Sequence, residues 1–247
     1  MSISKIEWTE QIWNPTTGCS KISAGCQNCY AEVMANRLRG IGISGYENGF
    51  KLTLMPERLT KPLKRNKSTK YFVNSMSDLF HEDIPDNFLD KIFGVIESTP
   101  RHIYQILTKR AERMEKYLKN KKLSENIWLG ITAENRRDGL PRIDILRKID
   151  ASVKFLSIEP MLEDMGKLNF EGIDWIIVGG ESGAKARPMK TEWVMTIKKE
   201  CERQNKAFFF KQWGAWGADG IKRNKKSNGR RFLGREWNQY PAVLTYA

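Results

Sequence analysis

The sequence predicts an α/β protein built as a full or partial (βα) barrel of about six parallel strands. Short apolar runs alternate with amphipathic, helix-like segments along most of the 247 residues. Each run is only about four to six residues long and rich in β-branched or aromatic residues, which is typical of a strand buried in a parallel sheet. Polar, chemically reactive residues follow nearly every run, and this favours a barrel mouth over an open sheet edge.

Six runs are predicted as strands, and a further strand is expected earlier, around residues 5–13. The six runs are residues 71–76, 102–107, 127–131, 154–158, 175–178 and 207–210. Helices are expected at residues 30–38, 87–98, 110–119, 140–149 and 191–204. Each αβ unit is about 25–35 residues long, as right-handed crossovers between parallel strands require.

The polar residues that follow the strands are the first candidates for a functional site. In a barrel, the carboxyl ends of all strands meet at one mouth. Taken one at a time, Ser, Thr and Asp at such positions commonly cap helices instead. The residues in question are Ser75, Ser77, Asp78, Thr108, Lys109, Thr132, Glu134, Asn135, Glu159, Glu181, Lys211 and Gln212.

The net charge and the absence of long apolar runs limit the class of protein. A formal net charge of +13 attracts polyanions, so nucleic acid is the first partner to consider. The alternative is a basic protein whose charge only prevents association. No run of about 18 or more apolar residues and no signal-peptide core is present. We therefore expect a cytoplasmic protein, in which reduced cysteines favour metal or redox chemistry over disulfides.

Residues 1–213 are expected to form the barrel domain, including a cysteine loop, and residues 214–247 a basic, aromatic-rich C-terminal extension. Cations interleaved with aromatic residues suit phosphate contact and base stacking, although a solvated loop is the alternative. Two lysines just past strands, Lys109 and Lys211, are further candidates for contact with a phosphate or carboxylate. The candidate cations of the extension are Lys222, Arg223, Lys225, Lys226, Arg230 and Arg231.

Three of the four cysteines, Cys19, Cys26 and Cys29, lie in one C-x6-C-x2-C loop. A closed tetrahedral site needs four ligands, so three thiolates leave one position open. One interpretation is zinc with a fourth ligand from His81, His102 or Cys201. A second is that the cysteines are incidental buried hydrophobes. A third is a [4Fe–4S] cluster in which the cysteines bind three irons and leave the fourth for an exogenous ligand.

The chain resembles known proteins through a series of short motifs. WNPTTGC, CxxCYAE, VNSMSDLFHEDIP, ILTKR, WLGITAEN, LSIEPML, VGGESG and FFKQWG resemble an uncharacterised, phage-associated family of three-cysteine-motif proteins. A three-cysteine loop after the first strand of a barrel also resembles the radical S-adenosylmethionine superfamily, and the Cys29–Tyr30 pair resembles the spore photoproduct lyase group. The superfamily usually has three residues between its first two cysteines, where this chain has six. Asn28 replaces its usual aromatic residue.

The resemblance implies a TIM-like barrel that uses two cofactors. Cys19, Cys26 and Cys29 would hold a [4Fe–4S] cluster, and S-adenosylmethionine would bind to the open iron. Glu159 and Glu181 could also form an acid/base pair, but an anchoring role is favoured. The cofactor-binding residues that the resemblance implies are Asn74, Ser75, Ser77, Asp78, Thr132, Glu134, Asn135, Ser157, Glu159, Gly179, Gly180 and Glu181.

The function that the resemblance implies is generation of a 5′-deoxyadenosyl radical, with electrons from a cellular one-electron reductant. Charge and the C-terminal extension suggest a nucleic-acid base or nucleotide as substrate. The alternative is a nucleic-acid-binding protein with a structural zinc or iron–sulfur site and no radical chemistry. Electron transfer or sensing is a third hypothesis. No catalytic residue is assigned from the sequence.

Overall fold

The computed structural model describes residue 4 and residues 6–242. The start of the predicted early strand, Lys5, and the end of the predicted extension, residues 243–247, lie outside the described residues. Nine strands are present in the described part: β1 Gln11–Trp13, β2 Thr16–Thr17, β3 Thr53–Leu54, β4 Lys70–Val73, β5 Ile103–Thr108, β6 Ile127–Thr132, β7 Val153–Ile158, β8 Trp175–Gly179 and β9 Ala207–Gln212.

Helices follow the strands of the main sheet, as predicted. They are α1 Tyr30–Gly40, α2 Asp86–Glu97, α3 Ala111–Leu118, α4 Arg136–Lys148, α5 Thr191–Arg203 and a short α6 Lys225–Asn228. Residues three or four apart on α2 share its buried face, from Phe88 and Leu89 to Ile92 and Ile96. Helix α4 begins four residues before the predicted start, because it accommodates Pro141 within its second turn.

Seven parallel strands form one sheet in the order β1-β4-β5-β6-β7-β8-β9, while β2 and β3 form a separate antiparallel pair. The prediction of parallel strands alternating with helices is confirmed. The sheet has seven strands rather than about six because β1, the early strand, pairs with β4 through Gln11 and Tyr71. Strand β4 ends three residues before the predicted limit, because Asn74 adopts a positive φ of 61° and turns the chain.

The chain divides into two compact units. The first comprises Met1–Ile22, Cys29–Gly130 and Ile149–Ser152, and the second comprises Ser23–Asn28, Ile131–Lys148 and Val153–Ala247. The first unit is centred on fully buried aromatic residues such as Trp13, Tyr71 and Tyr104. In the second unit, Trp175 and Phe209 pack edge to face, with ring centroids 5.9 Å apart.

The segment after β9 folds back onto that strand within the second unit. The amide of Phe210 donates to the carbonyl of Trp237 at 2.9 Å, and the amide of Gln239 donates to that of Phe208 at 3.2 Å. The Phe232 ring lies 5.3 Å from that of Phe210. The segment therefore shares a core with the last strand. The division at residue 213 stays a prediction.

No helix within residues 6–242 is long and apolar enough to cross a membrane.

Candidate metal and cofactor site

The first cysteine follows a turn that only glycine can make. Gly18 has a φ of +77°, and a Cβ atom there would lie 2.1 Å from the carbonyl oxygen of Lys51. The Gly18 amide donates to the carbonyl of Met76 at 2.9 Å, and the Cys19 amide donates to that of Phe50 at 3.0 Å. Backbone contacts on both sides therefore fix the position of Cys19, which is half-buried and forms no disulfide.

The third cysteine precedes helix α1. Cys29 is the N-cap residue of this 11-residue helix, has an extended backbone, and makes no side-chain bond to the helix amides. Its free thiol is half-buried. The Tyr30 hydroxyl donates to the carbonyl of Ser75 at 2.5 Å and holds the start of the helix in place.

The middle cysteine lies in the segment Ser23–Asn28, which we call the Cys26 segment. A fully buried carboxylate, Glu134, holds one end of it in the second unit. The Ser23 hydroxyl donates to Glu134 Oε1, and so does the Gly25 amide at 3.3 Å. Arg142 Nη1 donates to Glu134 Oε2 at 2.7 Å, which balances the charge.

A second carboxylate, Glu181, holds the other end of the Cys26 segment. Asn28 Nδ2 donates to Glu181 Oε2 at 3.2 Å. Arg187 donates hydrogen bonds to the Glu181 carboxylate from Nε at 2.9 Å and from Nη2 at 2.5 Å. It also donates to the carbonyl of Ala24 at 3.0 Å. Burial would raise the pKa of the Glu181 carboxyl, but the hydrogen bonds from Arg187 and Asn28 lower it below its ordinary value.

We predict that Glu181→Gln lowers the free energy of unfolding by about 1.5–3 kcal/mol near pH 7, as for other hydrogen bonds to charged groups. Because the folded-state pKa of Glu181 is lowered, its stabilisation is present above the ordinary value of 4.5 and is lost as pH falls through the folded value. Urea unfolding between pH 4 and 8 should show the difference from wild type shrinking at low pH. Arg187→Gln should show the same loss, and equal stability at pH 7 would contradict the prediction.

Two of the carboxylates predicted to bind a cofactor, Glu134 and Glu181, therefore contact the cysteine loop itself. The sequence offered no signal for Arg142, Arg187 or Ser23, the partners of these carboxylates. Arg142 lies in a helix after Pro141, and Arg187 lies in an irregular segment. Long-range ion pairs of this kind have no periodic or motif signature.

The predicted site residues of the first unit are mostly anchors between strand ends. Asn74 Nδ2 donates to Thr16 Oγ1 at 2.9 Å, and Ser77 Oγ donates to the carbonyl of Gly18 at 2.7 Å. The buried Asp78 accepts from Thr108 Oγ1 at 2.6 Å and from the Lys109 amide at 2.9 Å. Two further predicted site residues, Ser75 and Lys109, belong to this group.

For Ser75, the backbone amide donates to Asn14 Oδ1 at 2.8 Å. The other, Lys109, has a half-buried side chain next to this group. The strand-end loops after β4 and β5 are therefore tied to one another and to the loop of Cys19.

In the second unit, Asn135 caps helix α4, which is the common alternative role of such residues. Its Oδ1 accepts from the Asp138 amide at 2.7 Å, and its Nδ2 donates back to the Asp138 carboxylate at 2.9 Å. Thr132 is buried at the end of β6, and its carbonyl accepts from Arg142 at 2.9 Å. Ser157 is buried near the end of β7.

Glu159 is the centre of a polar group at the ends of β7, β8 and β9. Lys211 Nζ donates to its Oε2 at 2.8 Å, and Gln212 Nε2 donates to its Oε1 at 3.1 Å. Gly179 and Gly180 leave no room for a side chain: a Cβ atom would lie 3.0 Å from the Glu159 Cδ and 2.0 Å from the carbonyl oxygen of Trp213, respectively. The charge of Lys211 is therefore balanced within the group.

The predicted cations of the C-terminal extension differ in how far they are engaged. Arg223 pairs with Asp219 through both nitrogens, and Arg230 lies 3.3 Å from Glu236 and 5.0 Å above the Phe209 ring. The others are placed as follows: Arg231 Nε donates to the carbonyl of Gly234, Lys222 lies 5.5 Å from the Trp216 ring, Lys225 begins α6, and Lys226 is exposed.

The donor set decides which metal group the site can hold. No group of three or more His, Cys, Asp or Glu side chains within residues 6–242 is arranged to hold a metal ion. Two of the proposed fourth zinc ligands are deeply buried: His102 has its Nε2 3.2 Å from the carbonyl of Pro62, and burial raises the pKa of the Cys201 thiol. The third, His81, bonds Ser20.

A cluster makes a different demand on the same residues. In a [4Fe–4S] cluster each cysteine binds a different iron, so the sulfurs need not approach as closely as around one ion. Cys19, Cys26 and Cys29 are half-buried and in no disulfide, and they have the type and number of donors that such a cluster takes. The donor set fits a cluster better than a closed zinc site.

An open cavity of about 720 Å³ lies beside Cys19 in the first unit. Sequence reasoning did not anticipate it, because it forms between a helix and a loop that are distant in the chain. Its lining combines apolar side chains with both signs of charge: Cys19, Ser20, Glu32, Asn36, Phe50, Lys51, Leu52, Leu54, His81 and Asp83.

Solved structures that share this fold include those of spore photoproduct lyase. The enzyme complexed with dinucleoside spore photoproduct matches with a TM-score of 0.51 and 12% sequence identity, over 82% of this chain and 63% of that chain. A cysteine-to-alanine mutant with the same dinucleoside matches with a TM-score of 0.52 at 12% identity, over the same shares. The chain thus spans less than two thirds of their length. The fold-class prediction is confirmed.

The chain belongs to the family described as "Protein of unknown function (DUF5131)", which matches residues 3–241. No curated protein matches the chain.

Proposed function

We propose that this protein is a radical S-adenosylmethionine enzyme whose Cys19, Cys26 and Cys29 hold a [4Fe–4S] cluster. The observation that carries the proposal is the set of three half-buried thiols, none of them in a disulfide, in the loop after β1 of a fold shared with spore photoproduct lyase. When bound, the cluster and S-adenosylmethionine supply one-electron chemistry that generates a 5′-deoxyadenosyl radical. The association with phages and the cytoplasmic location stay predictions.

The protein's own residues have separate tasks in this proposal. Cys29 stands at the start of α1 as its N-cap residue, and Glu134 and Glu181 fix the Cys26 segment. Buried strand-end groups exclude water from the bound cofactor. Of the implied S-adenosylmethionine contacts, Ser157 is buried near the end of β7, whereas Asn135 serves α4 as a cap.

The substrate in this proposal is a nucleic-acid base or nucleotide. The likeness to an enzyme solved with a dinucleoside supports it, as do the net charge of +13 and the cations of the C-terminal extension. A one-electron reductant is also required, and its identity is open to experiment.

The test is anaerobic reconstitution with iron and sulfide, followed by metal analysis and product analysis with S-adenosylmethionine and dithionite. Wild type should bind about four irons and release 5′-deoxyadenosine. Cys19→Ser, Cys26→Ser and Cys29→Ser should each lose most of the iron, whereas Cys201→Ser should retain it because Cys201 is buried in α5. Retention of zinc, with no iron bound, would overturn the proposal.

The role of the C-terminal extension is tested by salt dependence. We predict that replacing Lys222, Lys225 and Lys226 with Gln weakens binding of a labelled 20-nucleotide single strand. The slope of log K against log salt should become shallower by about 0.7 for each phosphate that is no longer neutralised. Fluorescence anisotropy from 50 to 300 mM salt measures it. Replacement of the exposed lysines 116, 119 and 122 is the control, and an equal effect there would contradict a specific role.

The alternative function, nucleic-acid binding with a structural metal, shares the salt-dependent binding but predicts no 5′-deoxyadenosine. The two assays together therefore separate the hypotheses.

A further inference from the structure

A polar network beside Cys19 in the first unit joins the exposed Ser20 to the buried Arg110 and His81. Arg110 Nη2 donates to the Ser20 hydroxyl at 2.8 Å and to the Ser20 carbonyl at 3.2 Å. The Cys19 thiol donates to the same carbonyl oxygen at 3.4 Å. One oxygen atom therefore holds the arginine guanidinium next to the sulfur.

The proton on the Ser20 hydroxyl can be located by counting donors. The Asp83 amide donates to His81 Nδ1 at 3.2 Å, so that nitrogen carries no proton. The ring proton is then on Nε2, which lies 2.9 Å from Ser20 Oγ and donates to it. Because Ser20 Oγ already accepts from both His81 and Arg110, its own hydrogen is available to an acceptor.

Arg110 supplies a second free donor. The residue is only 7% exposed, and its Nη1 pairs with Glu82. Its Nε–H is buried and has no hydrogen-bond partner among the described residues. Burial alone would lower the pKa of Arg110, but Asp78 and the neighbouring Cys19 raise it. Arg110 is therefore a buried donor beside the Cys19 sulfur, placed where a group bound to that sulfur can accept from it.

Three of the sequence motifs meet in this network. TGC supplies Cys19 and leads into Ser20, FHE supplies His81 and Glu82, and TKR supplies Arg110. These residues follow β1, β4 and β5. The buried Asp78 fixes the turn that carries Arg110 by accepting from Thr108 and from the Lys109 amide.

We propose that Arg110 and Ser20 are positioning residues for Cys19: they orient its sulfur and donate hydrogen bonds to the metal group that it holds. The positive charge and the hydrogen bonds to sulfur make that group easier to reduce. The effect on reduction rests on the proposed function, whereas the orientation of Cys19 does not.

The first experiment is a redox titration of reconstituted protein, followed by electron paramagnetic resonance. Arg110→Gln should reduce the ratio of reduced to oxidised cluster about tenfold at a fixed potential, a midpoint about 59 mV more negative. Ser20→Ala should shift it less, in the same direction. Arg110→Lys keeps the positive charge, so its midpoint should lie close to that of wild type. Arg113→Gln is the control. It removes the ion pair between Arg113 on α3 and Asp86 on α2, and it should leave the midpoint unchanged.

Equal midpoints in Arg110→Gln and wild type, with normal iron content, would overturn the redox part of the proposal. The second experiment needs no metal. Hydrogen–deuterium exchange of the peptide around Cys19 should become several-fold faster in Arg110→Gln and Ser20→Ala but not in Arg113→Gln. Unchanged exchange would overturn the positioning role. If wild type takes up no cluster, the proposed function fails, while the exchange result still decides the positioning.

Discussion

Gly18→Ala is expected to unfold or severely destabilise the protein, by more than about 4 kcal/mol, and to abolish iron loading. The added methyl group would lie 2.1 Å from the carbonyl oxygen of Lys51 and 2.8 Å from the amide of Leu52. Both are backbone atoms, so no side-chain rotation relieves the overlap. Relief requires the chain to shift at Cys19, whose amide is bonded to the carbonyl of Phe50.

Gly42→Ala is the matched control for this experiment. Gly42 has a similar φ of +70°, but a Cβ atom there has no neighbour within 4 Å. It should lose only about 1–2 kcal/mol, from the left-handed backbone. Thermal unfolding and iron content of the two variants measure the difference. Equal losses would show that the crowding at Gly18 does not restrict the cysteine loop.

Glu134→Gln is expected to destabilise the protein by about 3–5 kcal/mol, because it leaves the charge of Arg142 buried without a counter-charge. The Glu134 side chain is fully buried and that of Arg142 is 8% exposed. The change also weakens the bonds to Ser23 and Gly25, so the Cys26 segment should exchange its amides faster. Urea unfolding measures the stability, and reconstitution should show a lower iron content.

The control for Glu134→Gln is a surface ion pair on α4, the helix that carries Arg142. Asp144 pairs with Arg147 on α4 but is 66% exposed, so Asp144→Asn should change the free energy of unfolding by less than about 1 kcal/mol. If Glu134→Gln retained wild-type stability and iron content, the proposed role of this carboxylate in holding the Cys26 segment would be wrong.

The elements of the fold were largely predictable, because each strand and helix carries a local pattern. The apolar residues of α2 recur every three or four positions, and the runs that became β7 and β8 are short and β-branched. The errors lie at boundaries that side-chain patterns do not set. Asn74 ends β4 through its own backbone conformation, and α4 tolerates Pro141 near its start.

The candidate site was predictable only in part. Cysteine spacing points to Cys19, Cys26 and Cys29 without help from the structure. The roles of Glu134 and Glu181 are different, because a carboxylate after a strand can bind a cofactor or another part of the protein with equal chemical sense. Only their long-range partners, Ser23 and Asn28, show that they bind the loop. Sequence separation of over 100 residues hides such pairs from local patterns.

The folding back of the C-terminal segment onto β9 determines how its charges can be studied. Strand β9 is the last strand in the sheet order, and residues Trp237 and Gln239 occupy the hydrogen-bonding groups on its open side. A truncated protein that ended at residue 213 would expose those groups together with the Phe208 and Phe210 rings. The uncovered edge strand could then pair with strands of other chains. Loss of nucleic-acid binding in such a truncation would report aggregation. Single charge replacements, which leave the strand covered, are the informative variants.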